Sequence, residues 1–254
     1  MAESTARPSS TVVLVRDLPG GLETYLVRRH GRTAFGNAWA FPGGVVDADD
    51  ARVHAACRGI DAGVANRLLE APNGLNYYSA AIRELFEETG VLLAGTEVPG
   101  SALADYRNGL NAGTRTWLET VDAAALTLDC DALHYLSYWV TPRLQTARFA
   151  TRFFVAAMPE EQTARHCGGE LVDCTWLTPA EALDRHERGE LPMIFPTLST
   201  LRILTACGSV AEVLAEADSR AAAGVVAILP RVIEADGERV IVLPDDPRYR
   251  EAIN

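Results

Sequence analysis

The stretch "AAIRELFEETGVLL" (residues 80–93) decides how the rest of the chain is read. At about 100° per residue, Tyr78, Ile82, Leu85, Phe86 and Thr89 share one arc, the face of a helix that enters a core. Glu84, Glu87 and Glu88 share another arc, roughly opposite, as neighbours at i, i+3 and i+4. Gly90 stops the helix, so three carboxylates crowd its last turns. That placement is unfavourable twice over. Like charges four residues apart repel by a few tenths of a kcal/mol. Each carboxylate in the last turn also opposes the helix dipole by roughly 0.3–1 kcal/mol. Arg83, four residues before Glu87, offsets only part of this. The helix alone leaves two readings open: a solvated acidic end, or a cluster placed for a divalent cation that prefers oxygen ligands, Mg²⁺ or Mn²⁺.

Working outward, "FPGGVVDADD" (41–50) supplies two glycines, where backbone can approach a ligand closely, followed by three aspartates. "TVVLV" (11–15) and "TYLVRR" (24–29) read as a hairpin around "DLPGG". Residues 51–75 read as a helix and a turn, and residues 101–128 as weakly helical. "HYLSYWV" (134–140), "RFFVAAM" (152–158) and "LVDCTWL" (171–177) read as strands. A helix opens at "TPAEAL" (178–183), with Thr178 as N-cap, Pro179 in the first turn and Glu181 completing a capping box. Two further helices are expected at 196–206 and 209–222. Two strands over 225–244 turn at Asp236-Gly237. The order implies a mixed α/β domain over 11–254, with residues 1–10 as a disordered tail and about 179–254 as C-terminal elaboration.

Composition narrows the partners. Among 254 residues, 34 acidic against 23 basic ones leave a net charge of −11, which disfavours broad contact with nucleic acid. A polyanionic small molecule would then be held through metal cations. No apolar run approaches the roughly 20 residues that a spanning helix needs, so no membrane partner is expected. The five cysteines form no C-x-x-C pair and read as reduced thiols in a cytoplasmic protein. "HCGGELVDC" (166–174) has no common zinc spacing.

"RELFEETGV" (83–91) matches R-E-U-x-E-E-x-G-U at every specified position, and the chain thereby resembles the Nudix hydrolase superfamily. The full box is G-x5-E-x7-R-E-U-x-E-E-x-G-U. Gly44 fits its opening glycine and Asp50 stands where the box glutamate belongs. Between Asp50 and Arg83 lie 32 residues, 25 more than the pattern has, so the box is split by an insertion at 51–75. The split box, "YWVTP" (138–142), "RFATRFFVA" (148–156) and "GELPMIFPTLSTLRIL" (189–204) resemble the coenzyme A diphosphatase branch typified by the mammalian peroxisomal enzyme. The coenzyme A recognition signature of another branch is at best partial in "LVRRHGRTAFGNAWAFPGG", and the peroxisomal address is missing.

The resemblance implies a Nudix fold: an α/β/α sandwich on a mixed sheet, with an insertion inside the box and a helical and hairpin extension. It implies a metal-dependent hydrolase of a nucleoside diphosphate linked to a moiety X, with coenzyme A or acyl-coenzyme A as the leading substrate. An ADP-sugar, a dinucleotide, or a non-catalytic ligand sensor are the alternatives. By motif position, Glu84, Glu87 and Glu88 hold Mg²⁺ or Mn²⁺, with the Gly43 carbonyl as a further ligand. Arg83 orients a box carboxylate, and Asp50 supports the loop, its shorter arm needing a water to reach its partner. Glu84, Glu87, Arg83 and Glu170 form the candidate catalytic set, Glu170 as a base from outside the box. Arg28, Arg29, Arg143, Arg148 and Arg152 are weaker candidates for phosphate, and Phe35, Trp39, Tyr138 and Trp139 for a nucleobase. In each case packing is the commoner role. A homodimer is compatible with the resemblance.

Overall fold

The structure, a computed structural model, describes residues 5–30, 36–143, 145, 147–166, 171–235 and 238–250. Its centre is β1 (Arg7–Leu18), whose "TVVLV" is apolar on both faces because both are covered. Val12 and Leu14 enter one core, Val13 and Val15 the other, as strand alternation requires. β1 turns through Pro19-Gly20 into β2 (Gly21–Arg29), pairing Val15 with Thr24 and Leu18 with Gly21. This is the expected hairpin. β1 starts at Arg7, however, and Ser9 and Ser10 are buried in the sheet, so residues 7–10 are not tail.

β3 (Trp39–Ala40) pairs with β2, and β4 (Gly43–Val45) pairs with β1, setting Gly44 opposite Ser10. A 3-10 turn at Ala48–Arg52 follows. The insertion then forms β5 (Cys57–Arg58) and α1 (Ala62–Leu68), capped by Asp61 on the Val64 N–H. Next comes α2 (Leu75–Thr89), which carries the glutamates and ends at Gly90 with φ 78°. The weakly helical stretch is two helices, α3 (Gly100–Asn111) and α4 (Trp117–Ala123). β6 (Leu128–Asp129) pairs in parallel with β5, so the insertion leans on a separate two-stranded sheet.

β7 (His134–Val140), β8 (Phe149–Ala157) and β9 (Leu171–Leu177) return to the main sheet. β8 runs parallel to β1, and β9 pairs with β2. α5 (Pro179–Glu187), α6 (Phe195–Leu204) and α7 (Val210–Ala223) follow. Thr178 caps α5 as expected, while the Glu181 carboxylate is drawn to Arg185 at 2.5 Å. β10 (Ala227–Ile228) extends the sheet beside β7, completing an order of β10-β7-β8-β1-β2-β3 with β4 on β1 and β9 on β2. β11 (Arg231–Ala235) and β12 (Glu238–Val242) form the terminal hairpin; its turn, Asp236-Gly237, lies outside the described residues.

The mixed sheet is covered on both faces. α2 and the insertion, with Val53, Leu69, Leu85 and Phe86, pack on one side; Leu198, Leu201, Val213 and Ala217 of α6 and α7 pack on the other. This is the expected α/β/α sandwich. No helix among the described residues is long and apolar enough to cross a membrane.

Candidate functional site

Arg83 organises the site. Its Nε donates to Asp50 Oδ1 at 3.2 Å and its Nη2 to Asp50 Oδ2 at 3.0 Å. Nη2 also donates to the Val45 carbonyl at 2.8 Å. Nη1 donates to Glu84 Oε1 at 2.8 Å and, at the limit of a hydrogen bond, to Glu87 Oε2 at 3.5 Å. One side chain thus joins both halves of the split motif across the inserted residues. Asp50 needs no water to reach Arg83, contrary to expectation. The carboxylate touches the guanidinium directly because the Ala48–Arg52 turn, capped by Asp47, carries it against α2. Burial works against the charge of Arg83, but Glu84 and Asp50 outweigh it and hold the guanidinium above its ordinary pKa.

The three glutamates are not on a solvated face. Glu88 is only 5% exposed, and its Oε2 accepts the Gly43 N–H at 2.9 Å. Gly43, whose carbonyl is the expected further ligand, also meets the glutamates through its amide. A Cβ there would sit 2.3 Å from the Ser10 carbonyl oxygen, so only glycine lets β4 lie this close to β1. A Cβ on Gly44 would lie 2.4 Å from the Glu84 carboxylate. The two glycines of "FPGG" thus leave room for two different neighbours, a strand and a carboxylate. Burial pushes the Glu87 pKa up to about 7; Arg83 pulls it down and the Glu84 charge pushes it up again.

The helix end is compensated by residues with no local sequence signal. Arg107 of α3 donates from Nε to the Glu87 carbonyl at 3.0 Å and from Nη2 to the Glu88 carbonyl at 2.8 Å. Asn111 Nδ2 adds a bond to the Glu87 carbonyl at 3.1 Å. A cation on the terminal carbonyls offsets the dipole that three carboxylates oppose. Arg107 also donates to the Arg165 carbonyl at 2.7 Å, while the Arg165 N–H donates to Thr89 O, tying the segment before β9 to the end of α2. Arg107 acts on backbone atoms 19 and 20 residues away, which no spacing rule reveals.

The donor chemistry fits a hard divalent cation. One guanidinium faces three carboxylates, Asp50, Glu84 and Glu87, with Glu88 beside them on the Gly43 amide; burial first, and then the neighbouring charges of Glu84 and Asp50, raise the pKa of Glu87. Carboxylates are the ligands that Mg²⁺ and Mn²⁺ prefer. Yet among the described residues no three His, Cys, Asp or Glu side chains converge on one ion site. Glu84 and Glu88 are instead turned to Arg83 and to the Gly43 amide.

The other candidates divide. Glu170, Phe35 and Cys167 lie outside the described residues, as does the side chain of Arg29. Arg152 is buried between the rings of Tyr77 and Tyr138, at 4.1 and 4.3 Å, and donates to the Leu69 carbonyl, a packing role. Arg148 is buried as well, with Nε on the Thr141 carbonyl. Arg28 lies 3.5 Å from Asp173 at the surface. Trp39 and Trp139 belong to the core beneath α6 and α7.

With this geometry in view, similarity to known proteins gains a physical basis. The family model of the NUDT19 Nudix domain matches residues 62–204. Human acyl-coenzyme A diphosphatase NUDT19 is 30% identical over 196 residues, covering 71% of this chain and 52% of that protein. The putative nudix hydrolase 7 of Caenorhabditis elegans is 28% identical over 182 residues, 71% of this chain and 55% of that protein. The chain thus spans about half the length of these two relatives. A crystal structure of a NUDIX hydrolase from Alicyclobacillus acidocaldarius matches with a TM-score of 0.67 at 27% identity, over 84% of this chain and 97% of the other. The matched span, the fold and the rejoined motif agree: the chain belongs to the NUDT19 Nudix domain family.

Proposed function

We propose that the chain is a divalent-metal-dependent hydrolase that cleaves the diphosphate of a nucleoside diphosphate linked to a moiety X. Coenzyme A or acyl-coenzyme A is the favoured substrate. The observation that carries the reading is the contact of Arg83 with Asp50, Glu84 and Glu87, which rebuilds a box that the sequence presents in two pieces. The substrate class rests on family membership and on the activity for which the human relative is named.

Glu84, Glu87 and Glu88 are the side chains proposed to hold Mg²⁺ or Mn²⁺. Bound there, the metal supplies positive charge to phosphate oxygens and an activated water, without a basic protein surface. Arg83 fixes Glu84 and Glu87 in orientation, and the Gly43 amide fixes Glu88. With its pKa at about 7, Glu87 Oε exchanges a proton near neutral pH in the metal-free protein. Glu170 is proposed as a base from outside the box. The reading includes a cytoplasmic setting, supported by the free state of Cys57, Cys130, Cys174 and Cys207.

A panel of coenzyme A, acyl-coenzyme A, ADP-ribose and NADH, incubated with purified protein and Mg²⁺ or Mn²⁺, tests the proposal. The expected products from coenzyme A are 3′,5′-ADP and a phosphopantetheine. Release of phosphorylated product from none of the four would end the enzyme reading and favour a ligand sensor. Cleavage of ADP-ribose or NADH alone would move the substrate assignment.

A further inference from the structure

We propose that Trp117 and Ser79 are positioning residues for the box, acting through Asp50 on Arg83. The inference rests on the diphosphatase reading only for what the oriented Arg83 is used for. The Trp117 indole Nε1–H donates to Ser79 Oγ at 3.0 Å, and Ser79 Oγ donates to Asp50 Oδ1 at 2.8 Å. The direction of this chain is fixed by its ends, since an indole N–H can only donate and a carboxylate can only accept. The single hydroxyl proton of Ser79 is therefore committed to Asp50.

Asp50 has four acceptor sites to fill, and all four are used. Oδ1 takes Ser79 and Arg83 Nε; Oδ2 takes Arg83 Nη2 and, at 2.7 Å, the Asp47 N–H. Asp50 and Ser79 are fully buried and Trp117 is 2% exposed, so no bulk water competes for these bonds. Ser79 lies one turn before Arg83 on the same face of α2, which lets one carboxylate bind both.

An aspartate here has one methylene less than a glutamate and fewer rotamers in which to reach Arg83. Two donors from outside the box, one on α2 and one on α4, hold it in the rotamer that works. α4 is itself pinned to the same turn. Its start is fixed by the Thr116–Glu119 capping box, and the Leu118 N–H lies 3.4 Å from Asp49 Oδ2. Loss of the Trp117 donor would leave the Ser79 hydroxyl free to turn, and Asp50 would then be held less firmly on its Ser79 side.

Trp117→Phe removes the N–H and keeps a ring, and Ser79→Ala removes the hydroxyl with little change in volume. Two readouts are taken on the full chain: Mg²⁺-dependent turnover of the best panel substrate, and the Arg83 Nε–H signal in ¹⁵N NMR, identified by its loss in Arg83→Lys. Each variant is expected to lower kcat about tenfold, with KM within about twofold. The double variant should be no slower than Ser79→Ala, because the two donors act in series. In both single variants the Arg83 signal should shift and exchange faster with water. An unchanged Arg83 signal in both variants, or kcat losses that multiply, would overturn the proposal. If Trp117→Phe does not fold, Ser79→Ala carries both measurements. A wild type without turnover defeats the diphosphatase reading alone, and the NMR signal then decides the positioning role by itself.

Discussion

Arg83 grips Asp50 with two hydrogen bonds, at 3.2 and 3.0 Å, although 33 positions separate them along the chain. The pair is almost wholly buried, the side chains being 8% and 0% exposed. Removing Asp50 leaves Arg83 only Glu84 and Glu87 as counter-charges and strands the buried donors of Ser79, Asp47 and the Arg83 Nε, which costs about 3–5 kcal/mol. Asp50→Ala should therefore lower the urea midpoint by that equivalent. A loss below about 1 kcal/mol would mean that the two halves are not joined as described.

Glu88→Gln keeps an oxygen for the Gly43 amide and removes the negative charge. The fold should survive, with a near-UV circular dichroism spectrum like that of the wild type, while turnover falls by several orders of magnitude. Unchanged turnover would remove Glu88 from the metal ligands.

Glu87 links stability to pH. Its folded pKa of about 7 lies above the ordinary 4.5, so between these values the folded chain holds a proton that the unfolded chain has lost. Stability then falls as pH rises through this window, and the cost is complete above about 7, at up to about 3 kcal/mol. Thermal midpoints of the metal-free protein should decline from pH 5 to pH 8, and Glu87→Gln should flatten that decline. An equally steep slope in the variant would assign the effect elsewhere.

The two box glycines should respond differently to alanine. At Gly43 the new methyl meets the backbone of Ser10 and Thr11, which cannot move without opening β1 from β4. A loss on the order of 1–3 kcal/mol is expected. At Gly44 the methyl meets the end of the Glu84 side chain, which can swing aside. Gly44→Ala should lose more activity than stability, and the reverse order would contradict the close approach described.

Arg107→Ala uncovers carbonyl oxygens of Glu87 and Glu88 at the end of α2. The expected cost is about 1–3 kcal/mol, with faster amide exchange over 86–90. Protection unchanged from wild type would show that the helix end does not depend on α3.

The local parts of this protein are legible because their causes are local. The β1–β2 hairpin, α2 with its Gly90 stop, the start of α5 at Thr178 and the strands β7 to β9 follow from patterns of a few residues. The boundary at 7–10 escaped because Ser9 and Ser10 are polar yet buried, with Ser10 Oγ donating to the Tyr77 carbonyl. Residues 101–128 blurred two helices into one because α3 buries no residue fully and so shows little apolar periodicity.

The sequence by itself determined the Nudix motif, the charge crowding at the end of α2, and the identity of Glu84, Glu87 and Glu88 as the residues of interest. Only the tertiary structure decided what offsets that crowding. The answer comes from Arg83 on α2, held in place by Asp50 from before the insertion, from the Gly43 amide of β4, and from Arg107 of α3. Spacing rules register side chains that share a helix face or a strand. They carry no information about a guanidinium that reaches a carboxylate across an inserted helix, or one that caps the carbonyls of the preceding helix.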